Sequence, residues 1–349
     1  MTLAFRTCLV GIALLTSAEQ VWPQAPQPLA PVMATVDPIF PSWSPRDLRR
    51  TSLGPIVVVG AAQGLGSAGA DAGVGGDGSS QPALPRVGWW TDGVVTAAAL
   101  GAYALSRSFS ITRQVVPPQG LDPSNINLGI DRHIIGHPST GADRASDVTL
   151  VATMVGAPVL ALLTQPGVHG WENVVRRPLV LYGEAMLVAE AGSQLLKKSA
   201  DRPRPFTYLP ESERPTGSAY DVTGDGAFLS MPSGHATISF TAASFAATDN
   251  LLSHPDAGWR EHVAVAAVGA LLAGATGNLR VKANQHFPTD ILVGGLIGTA
   301  SGVSIPLLHS YVFPGGGQAP RPSGHAWLET AAGYLVGAGV GVGLASVAY

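Results

Sequence analysis

The sequence predicts an all-α protein, and three observations carry the prediction. Apolar stretches recur at about 88–106, 146–164, 178–198, 235–252, 262–278, 290–309 and 326–348, mostly too long for strands. Alanine, leucine, valine and glycine dominate these stretches, a composition that lets helices approach closely through small side chains. Only 12% of the 349 residues are charged and 46% are hydrophobic, so a sizeable core can form and a disordered chain is excluded. The formal net charge of -3 provides no basic field, which argues against nucleic acid as a partner.

The amino terminus reads as a secretory signal over residues 1–18. Arg6 lies in a short polar segment, an apolar run follows from Thr7 to Leu15, and Thr16, Ser17 and Ala18 supply small residues for cleavage. The only cysteine is Cys8, so the mature chain has none and does not rely on disulfides. Residues 19–86 are rich in proline, glycine, alanine and serine without a sustained apolar period and read as a flexible leader. The glycine pattern at 64–69 lacks a following Lys-Ser/Thr, so it is low complexity and not a phosphate loop.

Residues 87–312 form the expected catalytic domain. Its helical stretches carry polar interruptions at Asp92, Glu184, Glu190, Asp249 and Asn250, which argue against lipid on every side. The runs 263–277 and 291–307 are nearly uncharged and read as deeply buried helices or membrane spans. A mean hydropathy of +0.25 leaves both readings open. Residues 313–349 comprise a Gly/Pro linker and a C-terminal apolar segment with glycine at every second position from Gly337 to Gly343. That pattern fits a strand as well as a close-packed helix.

Three polar clusters stand at the ends of successive apolar stretches. In KKSADRPRP (197–205), Lys197 closes one helix, and the alternating prolines hold Arg202 and Arg204 on a stiff extended segment suited to anion capture. In MPSGHA (231–236), Ser233 can cap the next helix, Gly234 permits close approach of a phosphate to backbone N–H groups, and His235 stands beside that anion site. There a proton donor to a leaving oxygen is needed. In LRVKANQHFPTD (279–290), Asp290 follows His286 by four positions. A carboxylate at that offset can accept from one imidazole nitrogen and leave the other as a nucleophile.

These three motifs, in this order and between helices, resemble those of the type 2 phosphatidic acid phosphatase (PAP2) superfamily, which includes bacterial acid phosphatases, lipid phosphatases and, more distantly, vanadium haloperoxidases. The resemblance covers roughly residues 88–310 and implies a helical bundle with the active site at one end. It implies that Lys197, Arg204, Arg280, Ser233 and the Gly234 N–H bind the phosphoryl oxygens. It further implies that His286 attacks phosphorus, Asp290 orients His286, and His235 protonates the leaving alcohol. The family usually has serine before the third-motif arginine, where this chain has Leu279, so Arg280 loses a small hydrogen-bonding neighbour.

The expected function is an exported phosphatase, in the periplasm or cell envelope or integral to the inner membrane, acting on a phosphate monoester or lipid phosphate. No cofactor and no metal ligand set are expected from the sequence. Two alternatives stand beside it: a vanadate-dependent haloperoxidase using the same cations, and a non-catalytic envelope protein that binds anionic head groups. A second Pro-Ser-Gly-His at 322–325 has no histidine, lysine or arginine downstream and reads as a helix-capping turn. His133, His137, His169, His254, His262 and His309 have no partner at diagnostic spacing and are expected to be satisfied or exposed.

Overall fold

Each of the seven apolar stretches becomes a helix in the computed structural model, which describes residues 87–348 apart from 107, 110, 112–113, 164–170 and 313–320. The signal and leader expectations lie outside the described residues. Among the described residues there is no strand, and the helices are α1 (Trp89–Ser106), a short α2 (Gly129–Arg132), α3 (Thr140–Leu163), α4 (Arg177–Ala200), α5 (Gly234–Ser253), α6 (Trp259–Lys282), α7 (Pro288–Leu307) and α8 (Gly324–Ala348). π-Helical turns at Glu172–Arg176 and Leu308–Val312 precede α4 and extend α7.

Helix α5 is the hub: it touches α3, α4, α6, α7 and α8, and every residue except Ile238 and Phe240 is buried. Its polar residues tolerate that burial because their hydroxyls bond the helix's own carbonyls. Thr237 donates to Ser233 O at 2.9 Å, Ser239 to His235 O at 2.6 Å and Thr241 to Thr237 O at 2.7 Å, so these donors need no outside partner. The interrupting charge Asp249 accepts from Arg177 at 2.7 Å, which ties the start of α4 to the end of α5.

Close approach through glycine decides how α7 lies on α5. A Cβ at Gly298 would overlap the Thr237 carbonyl oxygen and come within 2.9 Å of Thr241 N, both backbone atoms that cannot turn aside. Gly298→Ala is therefore expected to push the helices apart and destabilise by about 1–3 kcal/mol. A thermal melt checks this, with Gly339→Ala, which faces nothing within 4 Å, as the unaffected control.

The ambiguous C-terminal segment is a helix, α8, packed along α6. Gly333, Gly337 and Gly341, one turn apart, each lie against α6 backbone at Val263, Ala267 and Leu271, whereas Gly339 and Gly343 face open space. Half of the alternating glycines thus make the contact. Ser323 Oγ accepts from Ala326 N at 3.1 Å, so the second Pro-Ser-Gly-His is a helix cap, as expected.

Among the described residues, three helices are long and apolar enough to cross a membrane: Trp259–Lys282, Pro288–Val312 and Gly324–Val347. Exposed apolar side chains also line outward faces, among them Val148, Val151, Val155 and Val159 on α3 and Leu292 and Leu296 on α7.

Candidate active site

The connections between helices bring the three motifs to one end of the bundle. Arg202 O accepts from Ser230 N at 2.9 Å, Ala227 O from Arg204 N at 2.8 Å, Asn284 O from Phe206 N at 3.1 Å, and Asp290 O from Ser233 N at 3.0 Å. Four backbone bonds thereby link the first motif to the second and third, and the second to the third. Two sharp reversals make this possible: Asp201 ends α4 at φ 43° and Asn284 follows α6 at φ 54°. Asn and Asp are the side chains that best tolerate the left-handed region.

His286 sits at the centre with 1% exposure. Burial, followed by the charges of Arg204, Arg280, Lys197 and His235, holds its pKa well below the usual 6.5. Those four charges, drawn from all three motifs, bear on the one imidazole. Because the imidazole resists protonation in the folded chain, its contribution to stability is present in full above about pH 6.5 and is lost as pH falls from there toward the folded-state value. The same sign governs catalysis. The acid limb of kcat/KM that belongs to His286 is expected well below pH 6.5, which a pH–rate profile of the free enzyme checks.

The expected partner of the imidazole is different. His286 Nδ1 donates to the Ser230 carbonyl at 2.7 Å, while the Asp290 carboxylate lies 3.7 Å from Nδ1, beyond hydrogen-bond range. Asp290 instead accepts from Ser230 Oγ at 2.6 Å, from Phe287 N at 2.8 Å and from Arg202 at 2.6 Å. It fixes the two segments that hold the histidine, and a backbone carbonyl fixes the ring. Nε2 is left as the lone pair.

The paired arginines also divide their work. Arg204 donates to Gly226 O at 2.7 Å and to Gln285 at 2.5 Å and acts on His286. Arg202, which shares the stiff segment but is not among the expected phosphate ligands, is a bolt. It bridges Asp131 at 2.8 Å and Asp290 at 2.6 Å, with its guanidinium 4.2 Å over the Phe287 ring.

Helix α3 contributes residues that the motifs do not contain. Asp143 accepts from Arg280 at 2.6 Å, with Ser146 Oγ at 3.4 Å from the same guanidinium nitrogen. Asp147, one turn on, lies 2.9 Å from His235 Nε2. At position 279, Leu279 packs with Ala142 and Ala345; α3 holds Arg280 through one terminal nitrogen, while Arg280 Nε is buried without a hydrogen-bond partner. Ser233 accepts from Ala236 N at 3.4 Å as the α5 cap. Gly234 opens that helix at the same end, where free N–H groups favour an anion.

Of the remaining histidines, His133 and His137 are exposed, while His169 lies outside the described residues. His254 pairs with Glu261 at 3.4 Å and His309 with Glu184 at 2.9 Å. His262 is neither satisfied nor exposed: it is 1% exposed and neither ring nitrogen has a hydrogen-bond partner.

Residues 178–314 match the family model described as the PAP2 superfamily. That segment contains all three motifs, and with the all-helical architecture it supports membership of the chain in that superfamily. No curated protein and no solved structure gave a significant match.

Proposed function

We propose that this chain is a membrane-embedded phosphatase that hydrolyses phosphate monoesters, lipid phosphates among them, through a phosphohistidine on His286. The observation that carries the reading is a buried imidazole, kept neutral among Lys197, Arg204, Arg280 and His235, with Nδ1 committed to a carbonyl. A neutral, oriented imidazole is a nucleophile, and fixed cations stabilise the charge that builds on a phosphoryl group in transfer.

In this mechanism the phosphoryl oxygens lie against Lys197, Arg204 and Arg280, with Ser233 and the Gly234 N–H at the head of α5. Nε2 of His286 attacks phosphorus as the bond to the leaving oxygen breaks, and His235 passes its proton to that oxygen. Water then attacks the phosphohistidine, giving a proton to His235 and releasing phosphate and the free imidazole. Asp143 and Asp147 aim Arg280 and His235. The exposed apolar faces and the three long apolar helices favour a lipid surrounding, and a signal at 1–18 would direct the chain to export into the envelope.

The leaving group tests the role of His235. An alkyl oxygen needs a proton and a nitrophenolate does not, so His235→Ala is expected to lower kcat/KM, which reports transfer to His286 and not the shared water step, by about 10²–10⁴-fold on an alkyl or lipid phosphate and far less on 4-nitrophenyl phosphate. Equal losses of kcat/KM on both substrates would remove His235 from protonation of the leaving oxygen. Wild-type activity on phosphatidic acid in mixed micelles, compared with glycerol phosphate in solution, separates lipid from soluble substrates. Vanadate-dependent halide oxidation without phosphatase turnover would instead make His286 an oxoanion ligand.

A further inference from the structure

We propose that the opposite end of the bundle carries a binding site for a divalent transition-metal ion, formed by Asp92 of α1, Glu184 of α4 and His309 of the π-helical turn after α7. One ligand atom from each residue lies within 4.8 Å of the others, close to twice a metal–ligand bond of about 2.1 Å. The site is remote from the phosphate pocket. Glu184 precedes Lys197 by thirteen residues on α4, roughly 20 Å at the rise of a helix.

The second observation is an orphaned oxygen. Glu184 is 4% exposed, and its Oε1 is buried without a hydrogen-bond partner, while Oε2 lies 2.9 Å from His309 Nε2. A buried carboxylate oxygen left so is costly unless a partner takes it, and a cation fits. The 2.9 Å separation is also that of two neighbouring ligands at right angles around one ion, roughly 3.0 Å for bonds of about 2.1 Å.

The third ligand is held in place: Asp92 Oδ1 accepts from Gly88 N and Thr91 Oγ1, each at 3.2 Å, and lies 3.9 Å from His309 Nδ1. Arg176 also acts on Asp92. One imidazole with carboxylate oxygens suits zinc or manganese and not a soft ion such as Cu(I). The ion would staple α1, α4 and α7 together, and the inference is independent of the phosphatase reading.

The test uses the full chain in detergent without a polyhistidine tag, stripped with chelator and then titrated with Zn²⁺ or Mn²⁺. Elemental analysis is expected to find about one ion per chain, with the melting midpoint raised by roughly 5 °C at a metal concentration a hundredfold above Kd. Glu184→Gln is expected to lose the ion. Asp92→Asn, at a partly exposed position, is expected to keep the fold and phosphatase activity while binding at least tenfold more weakly. A folded, active wild-type chain that takes up neither metal and melts at the same temperature with and without it overturns the proposal. So does undiminished uptake by both variants.

Discussion

His286→Ala is expected to lower kcat/KM by at least about 10⁴-fold, equivalent to roughly 5 kcal/mol of transition-state stabilisation, because it removes the proposed nucleophile. The protein should still fold. The lost partner is the Ser230 carbonyl, which His286 Nδ1 reaches at 2.7 Å, and stranding one buried acceptor costs about 1–3 kcal/mol. Circular dichroism and the melting midpoint, read beside the rate, separate the two effects. A variant that folds and retains more than a few per cent of the activity would mean that another group attacks phosphorus.

Asp290→Ala is expected to have the second largest effect, and it should strike stability and rate together. The fully buried carboxylate satisfies Ser230 Oγ, Phe287 N and one side of Arg202. Removing it breaks one of the two ion pairs of a partly buried guanidinium, leaving Asp131 and Thr289 Oγ1 as its side-chain partners. Breaking a buried charged pair on one side costs about 3–5 kcal/mol, which a melt should register as a fall of roughly 10 °C. The rate should fall by about 10²–10³-fold, since Ser230 and Phe287 hold the histidine from both sides. Ser230→Ala removes a single bond to Asp290 and keeps the carbonyl that accepts from His286, so its loss should be much smaller in both readouts. Equal losses for the two variants would contradict a carboxylate that acts by fixing two segments.

The architecture was legible because hydropathy marks the middle of a helix well. It marks the ends poorly where they are polar. Helix α3 begins at Thr140, about six residues before its apolar stretch, with Ser139 Oγ accepting from Ala142 N at 3.1 Å. Those unmarked first residues contain Asp143, and Asp147 stands at the second position of the apolar stretch itself; both are site carboxylates absent from the motifs. Acidic residues in a first turn read equally well as partners of the helix dipole. Their four-residue spacing, at the start of a helix antiparallel to the one that Lys197 closes, was the available signal.

The motif residues could be read together as one group because Lys, Arg and His at helix ends seldom recur three times by chance. The contacts within the group were less legible. Spacing placed Asp290 within reach of His286 but could not show that the Ser230 carbonyl, 56 positions earlier in the chain, takes Nδ1 first. Nor could the Arg-Pro-Arg-Pro run show which guanidinium bridges Asp131 and Asp290, since an extended segment puts alternate side chains in different surroundings. The cluster of Asp92, Glu184 and His309 draws on three separate helices, and no local pattern announces it.

The central claim is that His286 carries the phosphoryl group during turnover. Wild-type protein mixed with a ³²P-labelled phosphate monoester, quenched in alkali within milliseconds and separated from free substrate should retain label with the stability of a phosphohistidine, resistant to alkali and lost in acid. His286→Ala should retain none, and His235→Ala should accumulate more, because its water step is slowed. Label that persists undiminished in His286→Ala, or steady turnover by wild type with no labelled protein at any quench time, would contradict the account.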